Sequence, residues 1–394
     1  MQLALSAEDA EFRDEMRTFF TTKIPQEIRD AVADRRELTK DQIVESMRIL
    51  NEAGLAVPNW PTEWGGQDWS PLRRHIWHEE MQRAYVPVPL AFNASMIGPV
   101  IAQFATQEMK EKFLPPTANL DIWWAQGFSE PDAGSDLASL RTSAVLDGDH
   151  YVVNGQKTWT TLGQYGDWIF TLVRTNPDVK KQAGISLLLI DMTTPGVEVR
   201  PIELIDGGHE VNEVWFEDVR VPVENLVGEE NKAWDYAKFL LGNERVGVAP
   251  VGATKRVLAQ AKEWAGSVSV GSAEEGATLL DDPLVSTRIA ELENELLALE
   301  LTALRVVANS ADGKPHPASS VLKLKGTELQ QAVTELVVDL AGPASIASGA
   351  GDESDLPFWA RHATPVYLNF RKASIYGGSN EVQRQIIART ILGL

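Results

Sequence analysis

The chain has 394 residues, 44% of them hydrophobic, and its 56 acidic side chains outnumber 36 basic ones to give a net charge of −20. This length and hydrophobic content predict a large core and two or three packed units. The acidic balance argues against nucleic acid as a partner, because nucleic-acid binders need a basic surface. The absence of cysteine excludes disulfides and thiolate catalysis. The 6 histidines show no HExxH-type pairing, so no metal site is predicted.

The N-terminal residues carry acidic side chains at Glu8 and Asp9 rather than the basic start of a signal peptide. No apolar run is long enough to span a bilayer. We therefore expect a cytoplasmic protein without a membrane partner. Phosphorylated ligands stay possible, since a few local cations or backbone amides can hold phosphates.

Residues 7 to about 115 have the periodicity of helices. Ser6 is a predicted N-cap, and Phe12 and Met16 begin an apolar face at helical spacing. A second helix is predicted from Lys40 to Ala53. We expect an all-helical first domain over residues 1–120, closed by the prolines at 115 and 116.

Strand-like alternation begins near Asp121. The Asp147-Gly148 dipeptide predicts a hairpin into residues 151–159. Further strand patterns follow at 168–173, 185–190, 197–201 and 214–221, with no helical pattern between them. Such closely spaced strands predict an antiparallel β domain, assigned to residues 121–230, rather than a parallel sheet.

Helical periodicity returns after residue 230. One long helical segment is predicted from Trp234 to Ala265, with a possible bend at Pro250. Amphipathic helices follow at about 283–309 and 320–340, and Ser379 is a plausible N-cap for a final helix. The predicted fold is therefore α+β and mostly α, with an N-terminal helical domain, a middle antiparallel β domain and a C-terminal helical bundle over residues 231–394.

The stretch from Trp123 to Asp136 opens the predicted β domain with two tryptophans and a phenylalanine, then passes into a Ser-Glu-Pro-Asp-Ala-Gly turn. Two interpretations follow from these residues alone. The first is a strand entering a tight turn. The second is a wall against which a flat, polar-edged ring can sit.

This layout, together with four motifs, resembles the FAD-dependent acyl-CoA dehydrogenase family. The motifs lie at residues 126–136, 154–161, 218–222 and 376–384, in that order along the chain. Within the family, residues 205–213 and 236–242 are similar to the large subunit of the pimeloyl-CoA dehydrogenase type. The fold that the resemblance implies is the one that the periodicity predicts.

The resemblance implies FAD as cofactor, an acyl-CoA thioester as substrate, α,β-desaturation as reaction and an electron-transfer flavoprotein as acceptor. The positions that would hold FAD are Gln126, Phe128, Ser129, Ser135, Trp159, Thr160, Thr161, Ser379, Asn380 and Glu381. Those that would surround the acyl-CoA are Ser135, Arg245, Tyr376 and Gly377. For Trp159, the alternative is an aromatic that packs across the strands.

The catalytic base occupies different positions in different branches of the family. One branch places a glutamate directly after the tyrosine of the C-terminal motif, where this chain has Gly377. Another takes it from a Glu-Arg pair on the helix after the β domain, which Glu244-Arg245 matches. A lone helix glutamate is normally a solvated surface residue, but the two observations together predict Glu244 as the base. Burial beside an acyl chain would raise its pKa toward the range that proton abstraction needs.

Two segments that hold the far end of FAD in many family members are missing. An Arg-x-x-Phe-Gly segment is absent at 265–272, and a glutamine is absent at 337–343, where Asp339 would repel a pyrophosphate. This predicts a related second subunit in an α2β2 heterotetramer, with a homo-oligomer as the alternative. Two other functions are considered, namely a non-catalytic structural subunit and a flavin oxidase or monooxygenase on the same fold.

Overall fold

A computed structural model describes residues 5–244, 251–271, 276–308, 317–347 and 354–394. The chain divides into two compact units. One unit contains Met1–Leu38, Ser70–Pro87 and Arg245–Leu394, and the other contains Thr39–Trp69 and Val88–Glu244. The N-terminal helical region therefore contributes to both units, which its linear order along the chain does not reveal.

The unit of Thr39–Trp69 and Val88–Glu244 contains a seven-stranded sheet. Its strands run in the order β1-β4-β2-β3-β7-β6, with β5 paired to β4. The strands are β1 (Trp124–Gly127), β2 (Ser143–Asp147), β3 (His150–Thr161), β4 (Trp168–Arg174), β5 (Ile185–Asp191), β6 (Val197–Ile202) and β7 (Val211–Pro222).

The pairing in this sheet is mostly antiparallel, as the sequence predicts. The hairpin at Asp147-Gly148 is confirmed, because Asp147 pairs with His150 and Gly148 takes a φ of 63°. Two pairings are parallel: β1 runs parallel to β4 from the Trp124–Trp168 pair onward, and β2 meets β4 in parallel at Ser143–Arg174. The β2–β3 hairpin lies between β1 and β4 in sequence, so the chain returns to β1 in the same direction.

The described residues of this unit also form α-helices, namely α3 (Lys40–Glu52), α5 (Gly98–Phe104), α6 (Gln107–Ala118) and α7 (Ala233–Glu244). Helix α6 continues through the prolines that were predicted to close the helical region. The helix ends two residues after Pro116, and the carbonyls of both prolines accept hydrogen bonds there: Asn119 N–H donates to Pro115 at 3.2 Å and Asp121 N–H to Pro116 at 2.9 Å.

The other unit is helical in its described residues. Its helices are α1 (Ala7–Lys23), α2 (Gln26–Ala33), α4 (Pro71–Arg83), α8 (Val251–Ser267), α9 (Pro283–Ala308), α10 (Ser319–Ala341), α11 (Phe358–Arg361), α12 (Ala363–Asn369) and α13 (Asn380–Ile387). Both predicted N-caps are confirmed: Ser6 Oγ accepts from Asp9 N–H at 3.1 Å, and Ser379 Oγ from Val382 N–H at 3.4 Å.

The predicted long helix from Trp234 to Ala265 is described in two pieces, α7 and α8, and the predicted bend at Pro250 lies outside the described residues. Over the ranges that the structure describes, no helix has the length and apolar character needed to cross a bilayer.

Candidate functional site

The two motifs predicted to surround a flat ring lie side by side. The backbone N–H of Thr158, on β3, donates to the carbonyl of Ser129 at 2.9 Å. Ser129 lies two residues after Gly127, the last residue of β1, in the motif that opens the β domain. The turn after β1 is thus attached to the strand that carries Trp159.

A buried ion pair holds the same two segments together. Lys157 is fully buried on β3, and its Nζ lies 2.7 Å from Glu130 Oε1. The same ammonium donates to the carbonyl of Phe128 at 3.2 Å. The Glu130 carboxylate also accepts the backbone N–H groups of Arg141 at 2.6 Å and Thr142 at 2.9 Å. Lys157 therefore links β3 to the start of the turn through Phe128 and Glu130, and Glu130 in turn holds the backbone at Arg141 and Thr142.

Burial and ion pairing shift the pKa of each group of this pair in opposite directions. Burial lowers the pKa of Lys157 to about 8, although the carboxylate of Glu130 favours its charged form. Burial alone would raise the pKa of Glu130, but the charge and hydrogen bonds of Lys157, with those of the two amides, lower it overall. Both groups are therefore charged at neutral pH, and the pair is a true ion pair. The sequence motifs include both residues, but their pairing was not predicted.

Replacing Lys157 with Met is expected to lower the free energy of unfolding by about 3–5 kcal/mol, because it leaves a buried carboxylate without its cation. It should also weaken FAD binding, since the turn loses its anchor. Urea unfolding and flavin retention measure the two effects. Lys181→Met is the control, because the Lys181–Asp136 pair is exposed and worth about 0–1 kcal/mol. Equal behaviour of the two variants would contradict the anchoring role.

Trp159 differs from the rest of β3 in its backbone conformation and in its exposure to solvent. Its φ is 60°, a left-handed conformation that costs a side chain with a Cβ about 1–2 kcal/mol. The ladder between β3 and β7 shifts register between Lys157 and Thr160, which accommodates it. The indole is 58% exposed, so packing across the strands, the alternative interpretation, does not account for it. A large exposed aromatic face on a strained backbone suits contact with a planar ligand.

The two threonines after Trp159 differ in environment. Thr160 is fully buried, and its Oγ1 has no hydrogen-bond partner within the described residues. Its carbonyl accepts from Asn212 Nδ2 at 3.1 Å. Thr161 is half-buried and pairs with Val211 on β7. The hydroxyl of Thr161 is therefore the more accessible of the two.

The FAD-binding residues predicted on the first motif differ in how much of each is exposed to solvent. Phe128 is buried and meets Phe170 edge-on at 5.7 Å, whereas Gln126 and Ser129 are half-buried and Ser135 is exposed. Gly127 cannot carry a side chain, because a Cβ there would lie 2.6 Å from Thr171 Oγ1. Trp123 and Trp124, which open this stretch, are 1% and 0% exposed, so they belong to the core as the strand-and-turn interpretation requires and give no free aromatic face. The polar groups at Gln126, Ser129 and Ser135 are compatible with the edge of an FAD ring, whose face would lie against the exposed Trp159.

The C-terminal motif belongs to the other unit. Tyr376 is 47% exposed, and Gly377 takes a φ of 63°. Asn380 is buried, and its Oδ1 accepts from Lys323 Nζ and Thr327 Oγ1, both at 3.2 Å. These bonds use Oδ1, so a contact of Asn380 with FAD would come from Nδ2 or from the backbone.

Glu381 and Ser379 lie at the N-terminus of α13, where Ser379 caps the helix and Glu381 is exposed. The backbone N–H of Glu381 and the Ser379 hydroxyl lower the pKa of the Glu381 carboxyl. That carboxylate already interacts with the amides of the helix terminus, and a phosphate would compete with it for them.

The predicted base lies at an element boundary. Glu244 is the last residue of α7, its side chain lies outside the described residues, and so does Arg245 altogether. The structure therefore gives the place of Glu244 in the fold but no geometry for its carboxylate.

The charge that was predicted to repel a pyrophosphate is already paired. Asp339, on α10, forms an ion pair with Arg288 of α9, and Arg288 also lies 3.5 Å from Glu335. The repulsion argument for a second subunit is weakened accordingly, because the arginine offsets much of this charge. The missing arginine and glutamine of the two segments are unaffected by it.

One group of metal-ligand residue types occurs in the described part of the helical unit. Ligand atoms of His75, Glu79 and Glu300 lie within 4.8 Å of one another. Lys255 Nζ, however, is 2.8 Å from Glu300 and 3.8 Å from Glu79. An ammonium already occupies the position where a cation would be held, so this group is an ion-pair network.

Three family models match successive parts of the chain. The model described as acyl-CoA dehydrogenase, N-terminal domain, matches residues 6–121, that of the middle domain 125–219 and that of the C-terminal domain 231–392. Three of the four motifs lie wholly within these matches, and the motif at 218–222 begins inside the middle-domain match, which ends at residue 219.

Individual relatives agree with these matches. Acyl-CoA dehydrogenase IpdE1 of Mycobacterium tuberculosis is 37% identical over 346 residues, covering 88% of this chain and 86% of its own. A chain of the ChsE4-ChsE5 complex from Mycobacterium tuberculosis has a TM-score of 0.84 at 34% identity, covering 100% of this chain and 99% of that chain. A chain of the Tcur3481-Tcur3483 steroid ACAD has a TM-score of 0.86 at 30% identity, with the coverage again 100% and 99%.

Proposed function

The chain belongs to the acyl-CoA dehydrogenase family of FAD-dependent oxidoreductases, and we propose that it carries the catalytic base and the ring-binding half of a heteromeric acyl-CoA dehydrogenase. The observation that carries the proposal is the attachment of the turn at Ser129 to the strand at Thr158, locked by Lys157 and Glu130. This attachment holds β3, the strand that carries the exposed Trp159 and the half-buried Thr161, beside the first motif.

FAD, when bound, supplies the acceptor for a hydride from Cβ of the acyl group. Trp159 is positioned on its strand to cover one face of the ring. The accessible hydroxyls of Ser129 and Thr161 are suited to hydrogen-bond its edge. The aromatic residues of the first motif exclude water from this side of the site.

The carboxylate of Glu244 removes the Cα proton of the thioester while the Cβ–H bond breaks and the Cα=Cβ double bond forms. Glu244 would hold the Cα proton and bound FAD would supply the acceptor for the Cβ hydride, so the product would be an enoyl-CoA. Arg245, Tyr376, Gly377 and Ser135 are proposed to border the acyl-CoA.

The backbone at Gly377 supports the choice of Glu244. Its φ of 63° lies in the left-handed region, which glycine adopts readily and a glutamate does not. A base at this position, as in the other branch of the family, would need a different turn. The Glu-Arg pair at the end of α7 is then the matching alternative.

A second, related subunit is proposed to complete the far end of the FAD site in an α2β2 assembly. The missing arginine and glutamine support it, and so do two structural relatives that are complexes by name, ChsE4-ChsE5 and Tcur3481-Tcur3483. The second is named a steroid ACAD, so a ring-containing acyl-CoA belongs among the candidate substrates. The similarity to the pimeloyl-type large subunit stays a prediction, as does an electron-transfer flavoprotein as acceptor.

Anaerobic mixing of the FAD-loaded assembly with a panel of acyl-CoA thioesters tests this function. The panel comprises straight-chain, ω-carboxylated and ring-containing acyl groups. We expect at least one to bleach the flavin and to lose two hydrogen atoms by mass spectrometry. No reduction by any thioester would favour the structural-subunit alternative. Rapid reaction of the reduced flavin with oxygen, at a rate comparable with turnover, would favour the oxidase.

A further inference from the structure

One face of α10 is polar although it is buried. Its residues Lys323, Thr327, Gln331 and Thr334 recur every three or four positions and therefore share one side of the helix. Lys323 is 0% exposed, Thr327 1% and Thr334 4%. Elsewhere α10 contributes apolar side chains such as Leu329 to the core of its unit. A buried polar face needs hydrogen-bond partners, because polar groups are unfavourable in an interior without them.

This face binds the chain segment of residues 370–380, which leads into the C-terminal motif. Nε2 of Gln331 lies 3.2 Å from the carbonyl of Phe370 and 3.1 Å from that of Arg371. Nη2 of Arg371 donates back to the carbonyl of Gln331 at 3.0 Å. The start of the segment is therefore bound to α10 through both side chains and backbone.

Lys323 binds the same segment on both sides of the motif turn, which is defined as residues 374–379. Its Nζ donates to the carbonyl of Ala373, immediately before the turn, at 3.1 Å. The same Nζ donates to Oδ1 of Asn380, immediately after the turn, at 3.2 Å. Oγ1 of Thr327 lies 3.2 Å from that Oδ1 atom. One buried ammonium thus joins the two ends of the motif turn.

The motif turn itself is exposed and has a permissive backbone. Ile375 is 67% exposed and Tyr376 47%, so the core does not enclose either side chain. Gly377 and Gly378 have φ values of 63° and 86°, and glycine loses more conformational freedom on ordering than any other residue. Nε2 of Gln383 donates to the carbonyl of Gly378 at 3.3 Å, which is long for a hydrogen bond. The conformation of the turn therefore depends strongly on where its two ends are held.

The stability of α10 by itself does not account for a lysine at position 323. Lysine is almost never fully buried, because removing an ammonium from water costs free energy that its new contacts only partly offset. An apolar side chain in such a place is often no less stable. What an apolar side chain could not do is donate to Ala373 and Asn380 together and so fix the distance between them.

We propose that Lys323 is a positioning residue for the acyl-CoA site. By joining Ala373 to Asn380, it fixes the motif turn and with it Tyr376 and Gly377. This inference rests on the proposed function, in which Tyr376 and Gly377 border the acyl-CoA. A turn that is free to move would present these residues to the thioester in many arrangements, few of them productive for transfer of the Cα proton. Lys323 acts through the turn and does not itself touch the substrate.

Hydrogen–deuterium exchange of the FAD-loaded assembly tests whether Lys323 orders the motif turn. The amides of Ile375 and Tyr376 donate to the carbonyl of Lys372 at 2.8 and 3.1 Å, so their exchange reports on this order. In Lys323→Met we expect them to exchange at least about 10-fold faster, because the segment loses two hydrogen bonds from a charged donor. Peptides from the β-sheet should keep the wild-type rate.

Anaerobic stopped-flow absorbance tests whether this order matters for the reaction. With a thioester that bleaches the wild-type flavin, the limiting rate of reduction in Lys323→Met should fall by about 10²-fold. The flavin spectrum before mixing should match that of the wild type. A purely structural role would lower the amount of FAD-loaded protein, but it would not lower the limiting rate of the molecules that are loaded.

Lys325→Met is the matched control for both measurements. Lys325 lies two residues further along α10, and its side chain is 45% exposed. Its Nζ pairs with Glu295 and Glu328, both at 3.2 Å, and not with the motif turn. Neither the exchange of the turn nor the limiting rate should change in this variant.

Unchanged exchange at Ile375 and Tyr376 in Lys323→Met would contradict the proposal. Faster exchange with a wild-type limiting rate would also contradict it, because an ordered turn would then be unnecessary for the reaction. If no thioester reduces the wild type, the proposed function fails and with it the role at the acyl-CoA site, whereas exchange alone still decides whether Lys323 orders the turn. If Lys323→Met does not fold, Thr327→Val replaces it, and the absence of faster exchange there is the contradicting result.

Discussion

Replacing Glu244 with Gln is expected to leave FAD bound and to slow its reduction by acyl-CoA by about 10²–10⁴. Glutamine has nearly the same volume as glutamate but cannot accept the Cα proton at neutral pH. The proposed ring-binding motifs at residues 126–136 and 154–161 are distant in sequence from this substitution and keep their own residues. The flavin spectrum before substrate addition should therefore match that of the wild type. Anaerobic stopped-flow absorbance of the flavin measures both properties.

Glu263→Gln is the matched control for this prediction. Glu263 is an exposed glutamate on α8, the helix that follows the predicted base, and its loss should not change the rate. Flavin reduction at the wild-type rate in Glu244→Gln would show that the proton goes to another group. Loss of FAD in that variant would instead give Glu244 a role in holding the cofactor.

The second large effect concerns the chain purified alone. We expect it to hold FAD at least about 10²-fold more weakly than the assembly, because the two segments that hold the far end of FAD in relatives are absent here. Two hydrogen bonds to a charged group, at about 1.5–3 kcal/mol each, account for a loss of this size. The ratio of flavin to protein absorbance after gel filtration measures it, for the chain alone and after coexpression with a related subunit.

Stoichiometric FAD and full turnover by the chain alone would contradict this second prediction. They would indicate a homo-oligomer in which other residues hold the pyrophosphate. Arg288→Met tests whether the pyrophosphate of such a homo-oligomer lies near Asp339, since it removes the cation that pairs with this carboxylate. If Asp339 faces the cofactor, FAD binding should weaken further in that variant, and if the far end is held elsewhere, binding should not change.

The motifs that are proposed to bind the ring could be recognised in the sequence because each is contiguous. Trp159 and Thr161 are two residues apart, and the turn after β1 carries its own aromatic and hydroxyl groups. The hairpin at Asp147-Gly148 was equally local. Such features depend on a few neighbouring residues, so a sequence pattern contains nearly all of the information that specifies them.

Pairings between distant segments could not be predicted in this way. Lys157 and Glu130 are 27 residues apart, and a lysine in a strand is usually a solvated residue rather than a buried cation. The ion pair of Asp339 with Arg288 likewise depends on how two helices pack. The same holds for the parallel pairing of β1 with β4, which no local alternation of residues specifies.

An electron cryo-microscopy map of the FAD-loaded assembly tests the central claim most directly. We predict that the isoalloxazine ring contacts Trp159 and Thr161 of this chain, that Glu244 lies beside the acyl group, and that a different subunit holds the pyrophosphate. A ring bound away from Trp159, or a pyrophosphate held only by copies of this chain, would contradict it.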